Sequence, residues 1–220
     1  MIERTTGLIL RTHPLTETSL IVRWLTRDFG RIATVAKGAR RPKSSFRGKL
    51  DLFYLAEFAF QRSRHSELHN LREVTLHETH ETLRCDLTRL RQAAYASRLI
   101  EQVTETETPV PGLFQLFADY LAQLPQQTPR PLLVFAFEAK LLRELGLQPD
   151  LTSPRLGAAA GGLLEKLMDM DWPALSQLTP DAAEETGLGQ FLHGFLVYQL
   201  GKTPRGRYEA LGVEPPSPVL

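Results

Sequence analysis

The residues best suited to chemistry with a polyanion lie in the run Val35-Ala36-Lys37-Gly38-Ala39-Arg40-Arg41-Pro42-Lys43-Ser44-Ser45-Phe46-Arg47-Gly48-Lys49. Six of the chain's 26 basic residues fall within positions 37–49, and no carboxylate interrupts them. Gly38, Pro42 and Gly48 keep the run out of regular structure, so the charges sit on a loop. Guanidinium and ammonium groups on such a loop neutralise phosphates and release condensed counterions. The pattern therefore points to a nucleic-acid backbone, with Lys37, Arg40, Arg41, Lys43, Arg47 and Lys49 as the candidate contacts. Arg23 and Arg31 on the preceding strands are further candidate cations. Phe46 lies inside the run and is the aromatic residue expected to touch a base, a contact worth about 1–3 kcal/mol. Trp24 and Tyr54 share strand parity with apolar positions and read as core.

Other constellations carry less. His65, His69, His77 and His80 lie among Glu67, Glu73, Glu78 and Glu81. His77-Glu78-Thr79-His80 does not place two histidines one helical turn apart, as a zinc-protease helix requires. These residues read as solvated polar positions, and a metal-dependent nuclease using them is a third-ranked alternative. Gly48-Lys49 is no phosphate-binding loop, because position 43 is Lys and Leu50 replaces the hydroxyl residue. No Ser/His/Asp or Cys/His set stands out, so no catalytic residue, metal or cofactor is expected. The single cysteine, Cys85, leaves no internal disulfide and no multi-cysteine zinc site within the chain, and reads as a small buried helix residue.

The elements that must position these residues change character near residue 80. Residues 7–12 form an apolar run followed by a turn at His13-Pro14. Residues 18–26 alternate as a strand, and Asp28-Phe29-Gly30 reads as a hairpin connection in which Gly30 supplies the positive φ. Residues 31–37, 50–61 and 68–76 complete five short strands, the count of an oligonucleotide-binding barrel. From residue 81 the period is helical. Leu83, Leu87, Leu90, Ala94, Leu99 and Val103 form one apolar stripe, and Leu113, Leu116, Phe117, Tyr120, Leu121 and Leu124 another. Residues 131–145 are apolar nearly all round, the mark of a bundle's central helix, with Gly146 as its C-terminal stop. Residues 153–162 read as a loop within an irregular stretch, 152–187. A last helix is expected over 188–200, ending at Gly201 with Pro204 beyond it, and residues 213–220 read as a frayed end. The expected class is α+β, with an N-terminal five-stranded OB-fold β-barrel (1–80) followed by an all-helical C-terminal domain (81–220).

The formal net charge of +1 conceals an asymmetry. The first 49 residues carry eleven Lys and Arg against three carboxylates, a balance of +8, whereas residues 81–220 carry a balance of −5. Only the N-terminal part is thus expected to face a polyanion. The N-terminus lacks the pattern of a signal peptide, and apolar runs are too short to cross a bilayer. No membrane contact is expected, and the expected location is cytoplasmic.

Several stretches resemble the RecO family of bacterial recombination mediators. They are Gly7-Leu8-Ile9-Leu10, Glu17-Thr18-Ser19-Leu20-Ile21-Val22, Leu25-Thr26-Arg27-Asp28-Phe29-Gly30-Arg31, the basic run from Val35 to Ser44, and Gly48-Lys49-Leu50. Phe137-Glu138-Ala139-Lys140-Leu141-Leu142-Arg143-Glu144-Leu145-Gly146-Leu147-Gln148-Pro149 resembles the family's central helix and its exit. The resemblance implies an OB-fold joined to a helical domain, binding of single- and double-stranded DNA, and annealing of complementary strands. It also implies recombinase loading with RecR, a nucleoid-associated bacterial location, and a helical-domain pocket for the C-terminal tail of single-stranded DNA-binding protein. Arg130, Lys140 and Arg143 are the candidate cations for that acidic tail. Many family members carry a four-cysteine zinc site after the central helix. Here that stretch is Ser153 to Gly162, without cysteine. The alternative function is an OB-fold RNA-binding or translation-associated module without annealing activity.

Overall fold

The computed structural model describes residues 1–110, 112–151, 153, 156–202 and 205–214. They divide into two compact units: Met1–Glu81 with Val103–Gln115, and Thr82–Gln102 with the residues from Leu116 onward.

The first unit is built on β1 (Ile2–Pro14), β2 (Leu20–Thr26), β3 (Gly30–Ala36), β4 (Leu55–Gln61) and β5 (Leu68–Glu78). They close into a barrel in the order β1-β2-β3-β5-β4. β1 serves both neighbours: residues 2–8 pair with β4 and residues 7–14 with β2, both antiparallel. A register shift between Ile9 and Arg11 bends the strand around the barrel. Gly7 sits where the two pairings overlap, and a Cβ there would come within 2.9 Å of the Phe58 ring. The parallel pairing of β3 with β5 completes the closure. Trp24 and Phe58 stack at 4.0 Å in the centre, and the buried indole N–H donates to Thr34 Oγ1 at 2.9 Å. A buried polar hydrogen must find such an acceptor, which is why Trp24 is at home in this core.

Two strands, β1 and β4, differ most from the sequence-based expectation, the others by one or two residues. β1 runs from Ile2 through His13 and ends at Pro14, because the pairing with β2 continues to the Pro14–Leu20 position. β4 begins at Leu55 rather than 50. Phe53 adopts φ +66°, which ends extended pairing before it, and its buried ring anchors the turn.

Residues 103–115 belong to the barrel rather than to the helical unit, and the reason lies in β3. Its pairing with β5 covers only residues 33–35. Thr106 instead forms a parallel bridge with Arg31, and the Glu107 N–H donates to the Arg31 carbonyl at 2.8 Å. A returning segment thus covers the remaining edge. The Arg31 guanidinium fastens it, donating to Thr104 Oγ1 at 2.9 Å and to the Thr104 carbonyl at 2.6 Å. The Glu107 carboxylate meets Arg62 and lies 2.9 Å from His69 Nε2. Gly30, at φ +65°, passes beneath; a Cβ there would sit 2.3 Å from the Thr108 carbonyl oxygen.

The second unit contains α1 (Leu87–Val103, whose last residue belongs to the barrel unit), α2 (Leu113–Gln123, from Leu116), α3 (Pro131–Glu144), α4 (Ala158–Asp169), α5 (Ala182–Leu200) and α6 (Arg207–Leu211). α3 is the core element: every residue from 132 to 142 is buried, Glu138 and Lys140 included. Glu138 is 0% exposed and receives two hydrogen bonds from Arg207, at 2.7 and 2.9 Å, and one from the Tyr95 hydroxyl at 2.5 Å. Burial, with the Glu138 carboxylate beside it, pushes the Tyr95 phenol well above its ordinary pKa. Burial alone would lower the pKa of Arg207, but Glu138 outweighs it and holds the guanidinium above its usual value.

The irregular stretch expected over 152–187 is largely helical. Ala158-Ala159-Ala160-Gly161-Gly162 opens α4, whose Leu163, Leu164 and Leu167 are buried. Alanine favours helix intrinsically, and the leucines give α4 a face to pack, so two glycines do not prevent it. α5 begins six residues earlier than expected, behind a capping box in which Asp181 accepts from the Glu184 N–H and the Glu184 side chain accepts from the Asp181 N–H. Gly146 and Gly201 end α3 and α5 at φ +68° and +74°. Cys85 is exposed rather than buried, at the end of a 3-10 turn. Of the end expected to fray, residues 215–220 lie outside the described residues, as does Pro204. Among the described residues no helix is long and apolar enough to cross a membrane.

Candidate nucleic-acid interface

The basic run is an ordered ridge between β3 and β4. Successive tight turns shape it: the N–H groups of Ala39, Arg41, Ser44, Arg47 and Lys49 each donate to the carbonyl three residues back. Gly38 at φ +69° and Gly48 at φ +71° allow the chain to reverse at its two ends. The β1–β2 connection braces it. The Arg40 N–H donates to the Thr18 carbonyl at 3.0 Å, and the Gly38 N–H to the Ser19 hydroxyl at 3.4 Å. Thr16, Thr18 and Ser19, within and beside the Glu17-Thr18-Ser19 motif, therefore act as a buttress for the loop. Only the adjacency of this motif to a strand hinted at such a role.

Phe46 fixes the ridge from below. Its ring is 8% exposed and belongs to the barrel core with Trp24, Phe58 and Phe60. This corrects the expectation that Phe46 touches a base: a loop of charged residues needs an apolar anchor, and Phe46 is the residue within it that can supply one. Lys49 is half-buried, with Nζ donating to the Val74 carbonyl at 3.2 Å. The anchored ridge leaves Lys37, Arg40, Arg41, Lys43 and Arg47 exposed. Arg40 donates to the Thr16 carbonyl at 3.2 Å and Arg47 to the Pro42 carbonyl at 3.3 Å, neutral acceptors that leave the charges intact. Among the described residues no carboxylate forms a salt bridge with any of the five.

Arg23 is exposed on β2 and shares a cavity of about 360 Å³ with His13, Arg31, Glu67 and Thr106. Arg31 in that cavity is the residue that fastens the returning segment, so its first role is structural. The histidine cluster separates. His69 is buried, stacks on Phe60 at 5.2 Å, and accepts from the Ser63 N–H at 3.3 Å. His80 is buried with Nδ1 2.8 Å from the Phe53 carbonyl. These two are packing residues rather than solvated positions. Among the described residues no three His, Cys, Asp or Glu side chains gather as a metal site. The stretch after α3, where the resemblance implied a four-cysteine zinc site, holds no cysteine and leads into α4, so the residues present do not fit that metal.

In the helical unit, Arg130, Lys140 and Arg143 do not converge on one pocket. Arg130 donates to the carbonyls of Leu175 and Leu178, the latter at 2.7 Å. Lys140 Nζ donates to the carbonyls of Met168 and Met170 at 3.0 and 2.6 Å, and burial, then Arg143, lowers its pKa. Arg143 pairs with Asp169 at 3.0 Å. All three hold α3 to the segment containing α4. The largely apolar cavity of the unit lies elsewhere, about 470 Å³ walled by Pro131, Phe135, His193, Arg207, Tyr208 and Leu211 among others. Burial, then Arg207, keeps the His193 imidazole below its ordinary pKa.

Comparison with known proteins covers both the barrel and the start of the helical unit. A family model for the Recombination protein O N terminal matches residues 1–80, and one for the Recombination protein O C terminal matches residues 84–154. The DNA repair protein RecO of Exiguobacterium sibiricum is 32% identical over 151 residues, 69% of this chain and 60% of that protein. The DNA repair protein RecO of Bacillus subtilis is 32% identical over 151 residues, 69% of this chain and 58% of that protein. That of Anaeromyxobacter dehalogenans strain 2CP-C is 34% identical over 157 residues, 71% of this chain and 62% of that protein. The matched stretch thus spans 58–62% of these relatives' length. With a closed five-stranded barrel, a helical unit built on one buried central helix, and both terminal family models matched in order, the chain belongs to the RecO family.

Proposed function

We propose that this chain is a non-enzymatic DNA repair and recombination mediator. It binds single- and double-stranded DNA through the β3–β4 ridge and anneals complementary strands. With RecR, it helps place recombinase on DNA coated by single-stranded DNA-binding protein. The observation that carries the reading is the ridge itself: Lys37, Arg40, Arg41, Lys43 and Arg47 project from a loop pinned by Phe46 and the β1–β2 connection. Phosphate contacts hold a strand without reading its bases. Bases left accessible while strand repulsion is neutralised are what annealing requires. Arg23, and more weakly Lys49 and Arg31, extend the basic surface.

The C-terminal tail of single-stranded DNA-binding protein is assigned to the helical unit. An apolar tail end suits the Phe135–Tyr208–Leu211 cavity, and tail carboxylates suit Arg130, which adjoins the wall residue Pro131 and whose guanidinium donates to the neutral carbonyls of Leu175 and Leu178. Lys140 and Arg143 are weaker candidates, since both are engaged within the unit.

The test is annealing of complementary oligonucleotides coated with the cognate single-stranded DNA-binding protein. Wild type is compared with a Lys37→Glu/Arg40→Glu/Arg41→Glu/Lys43→Glu variant at several salt concentrations. Salt-sensitive annealing that disappears in the folded variant is the expected result. No annealing by wild type even at low salt would overturn the reading in favour of an RNA-binding module. Annealing untouched by charge reversal would move the site off the ridge.

A further inference from the structure

α5 presents three faces. Leu188, Leu192 and Leu196 enter the core, and Gly189 and His193 face the Phe135 cavity. The third carries Gly187, Phe191, Gly194, Phe195 and Tyr198 along a groove of about 640 Å³. Phe191 and Phe195 stack at 5.9 Å, and Tyr198 is 83% exposed. An apolar helix face is normally buried against a neighbour; this one leaves Phe191 and Phe195 half-buried and Tyr198 exposed.

The glycines sharpen the point. Glycine inside a helix is unfavourable unless something approaches closely. Gly189 has such a reason, since a Cβ there would lie 2.8 Å from the Phe135 ring. A Cβ on Gly187 or Gly194 would meet nothing within 4 Å. Within the described chain these two notches have no packing reason.

We propose that this face is a homodimer interface in which α5 packs antiparallel on α5 of a second copy. The notches Gly187 and Gly194 are seven residues apart, and so are the projections Phe191 and Tyr198. A two-fold axis crossing the helix between positions 192 and 193 sets Gly187 against the partner's Tyr198. It sets Phe191 against the partner's Gly194, and both contacts recur in reverse. A two-fold interface requires one patch to complement itself in this way. Charge agrees: the N-cap Asp181 and the first-turn Glu184 and Glu185 stand at one end of α5, and the exposed Lys202 follows the other. Antiparallel packing brings Glu184 opposite the partner's Lys202, whereas parallel packing would oppose carboxylates to carboxylates. α5 lies beyond the residues matched by the family models, so the interface belongs to this chain's own divergent part.

The test is sedimentation of the full chain over a concentration series reaching about 100 µM, for wild type and Tyr198→Asp. Tyr198 is so exposed that the substitution leaves the melting behaviour of a monomer unchanged. A wild-type dimer converted to a monomer is expected. A second measurement fixes the geometry. In a Cys85→Ser background, Gly187→Cys with Tyr198→Cys places thiols eleven residues apart, about 16 Å along one helix and too far to bridge within a copy. Oxidation should give a covalent dimer from the double variant and little from either single one. Wild type that is monomeric throughout, a Tyr198→Asp dimer, or equal cross-linking by Gly187→Cys alone would each overturn the proposal. The first of these outcomes would leave the groove to a peptide from another protein.

Discussion

The ridge makes a quantitative prediction about salt. Five cations, Lys37, Arg40, Arg41, Lys43 and Arg47, are exposed together, and each phosphate they neutralise on a single strand contributes about −0.7 to the slope of log affinity against log salt. Five contacts predict a slope of about −3.5, so a fourfold rise in salt weakens binding about 100-fold. Replacing Lys37, Arg40, Arg41 and Lys43 by Gln removes about 2.8 from that slope and leaves about −0.7 from Arg47. Glutamine is preferred over glutamate here because it deletes attraction without adding repulsion. Of the four, Arg40 donates a side-chain hydrogen bond, to the exposed Thr16 carbonyl, so folding stability should change by no more than about 0.5 kcal/mol per position. The assay is fluorescence anisotropy of a labelled oligothymidylate titrated at several salt concentrations, with thermal melting as the fold control. Lys49→Gln is the internal comparison: its Nζ is committed to the Val74 carbonyl, and it should change the slope by less than an exposed position does. A quadruple variant that melts like wild type and keeps the wild-type slope would refute the reasoning.

Two further predictions concern what holds these surfaces in place. Phe46→Ala removes a buried ring from the barrel core and should cost about 3 kcal/mol or more in denaturant unfolding; unchanged stability with lost oligonucleotide affinity would instead restore Phe46 as a base contact. Arg207→Ala strands the fully buried Glu138 carboxylate and should cost about 3–5 kcal/mol, whereas Arg207→Met combined with Glu138→Leu should recover most of that loss. A cost near zero for the single variant in urea unfolding would refute the argument that Arg207 is what keeps the buried carboxylate satisfied.

The parts legible in the sequence were those with local causes. Strand alternation placed Trp24 in the core, Gly30 marked the β2–β3 turn, and the apolar circumference of residues 131–145 marked the central helix. The charge run placed five exposed cations for the same reason: water is the default environment of Lys and Arg on a loop. The exceptions are instructive. Arg31, Arg130 and Lys140 look like surface cations by type, yet each is bonded to backbone carbonyls of a segment between 28 and 73 residues away. Periodicity carries no information about such partners. Phe46 was misread because its charged neighbours set the expectation, although an aromatic ring among them is the residue with most to gain from burial.

The segment 103–115 shows the limit most clearly, and it bears on how the barrel could meet DNA. Between the ends of α1 and α2, its polar run Thr104-Glu105-Thr106-Glu107-Thr108 gives no strand or helix period. It is placed by a need elsewhere, the edge of β3 that β5 does not cover. By covering that edge it engages Arg31 and Arg62 and sets Glu107 against β3. The barrel therefore carries a carboxylate on this edge and exposed cations on the β3–β4 ridge. Glu107 is already matched by Arg62, whereas the five ridge cations have no carboxylate partner among the described residues, so on the proposed reading a phosphate backbone has most to gain at the ridge.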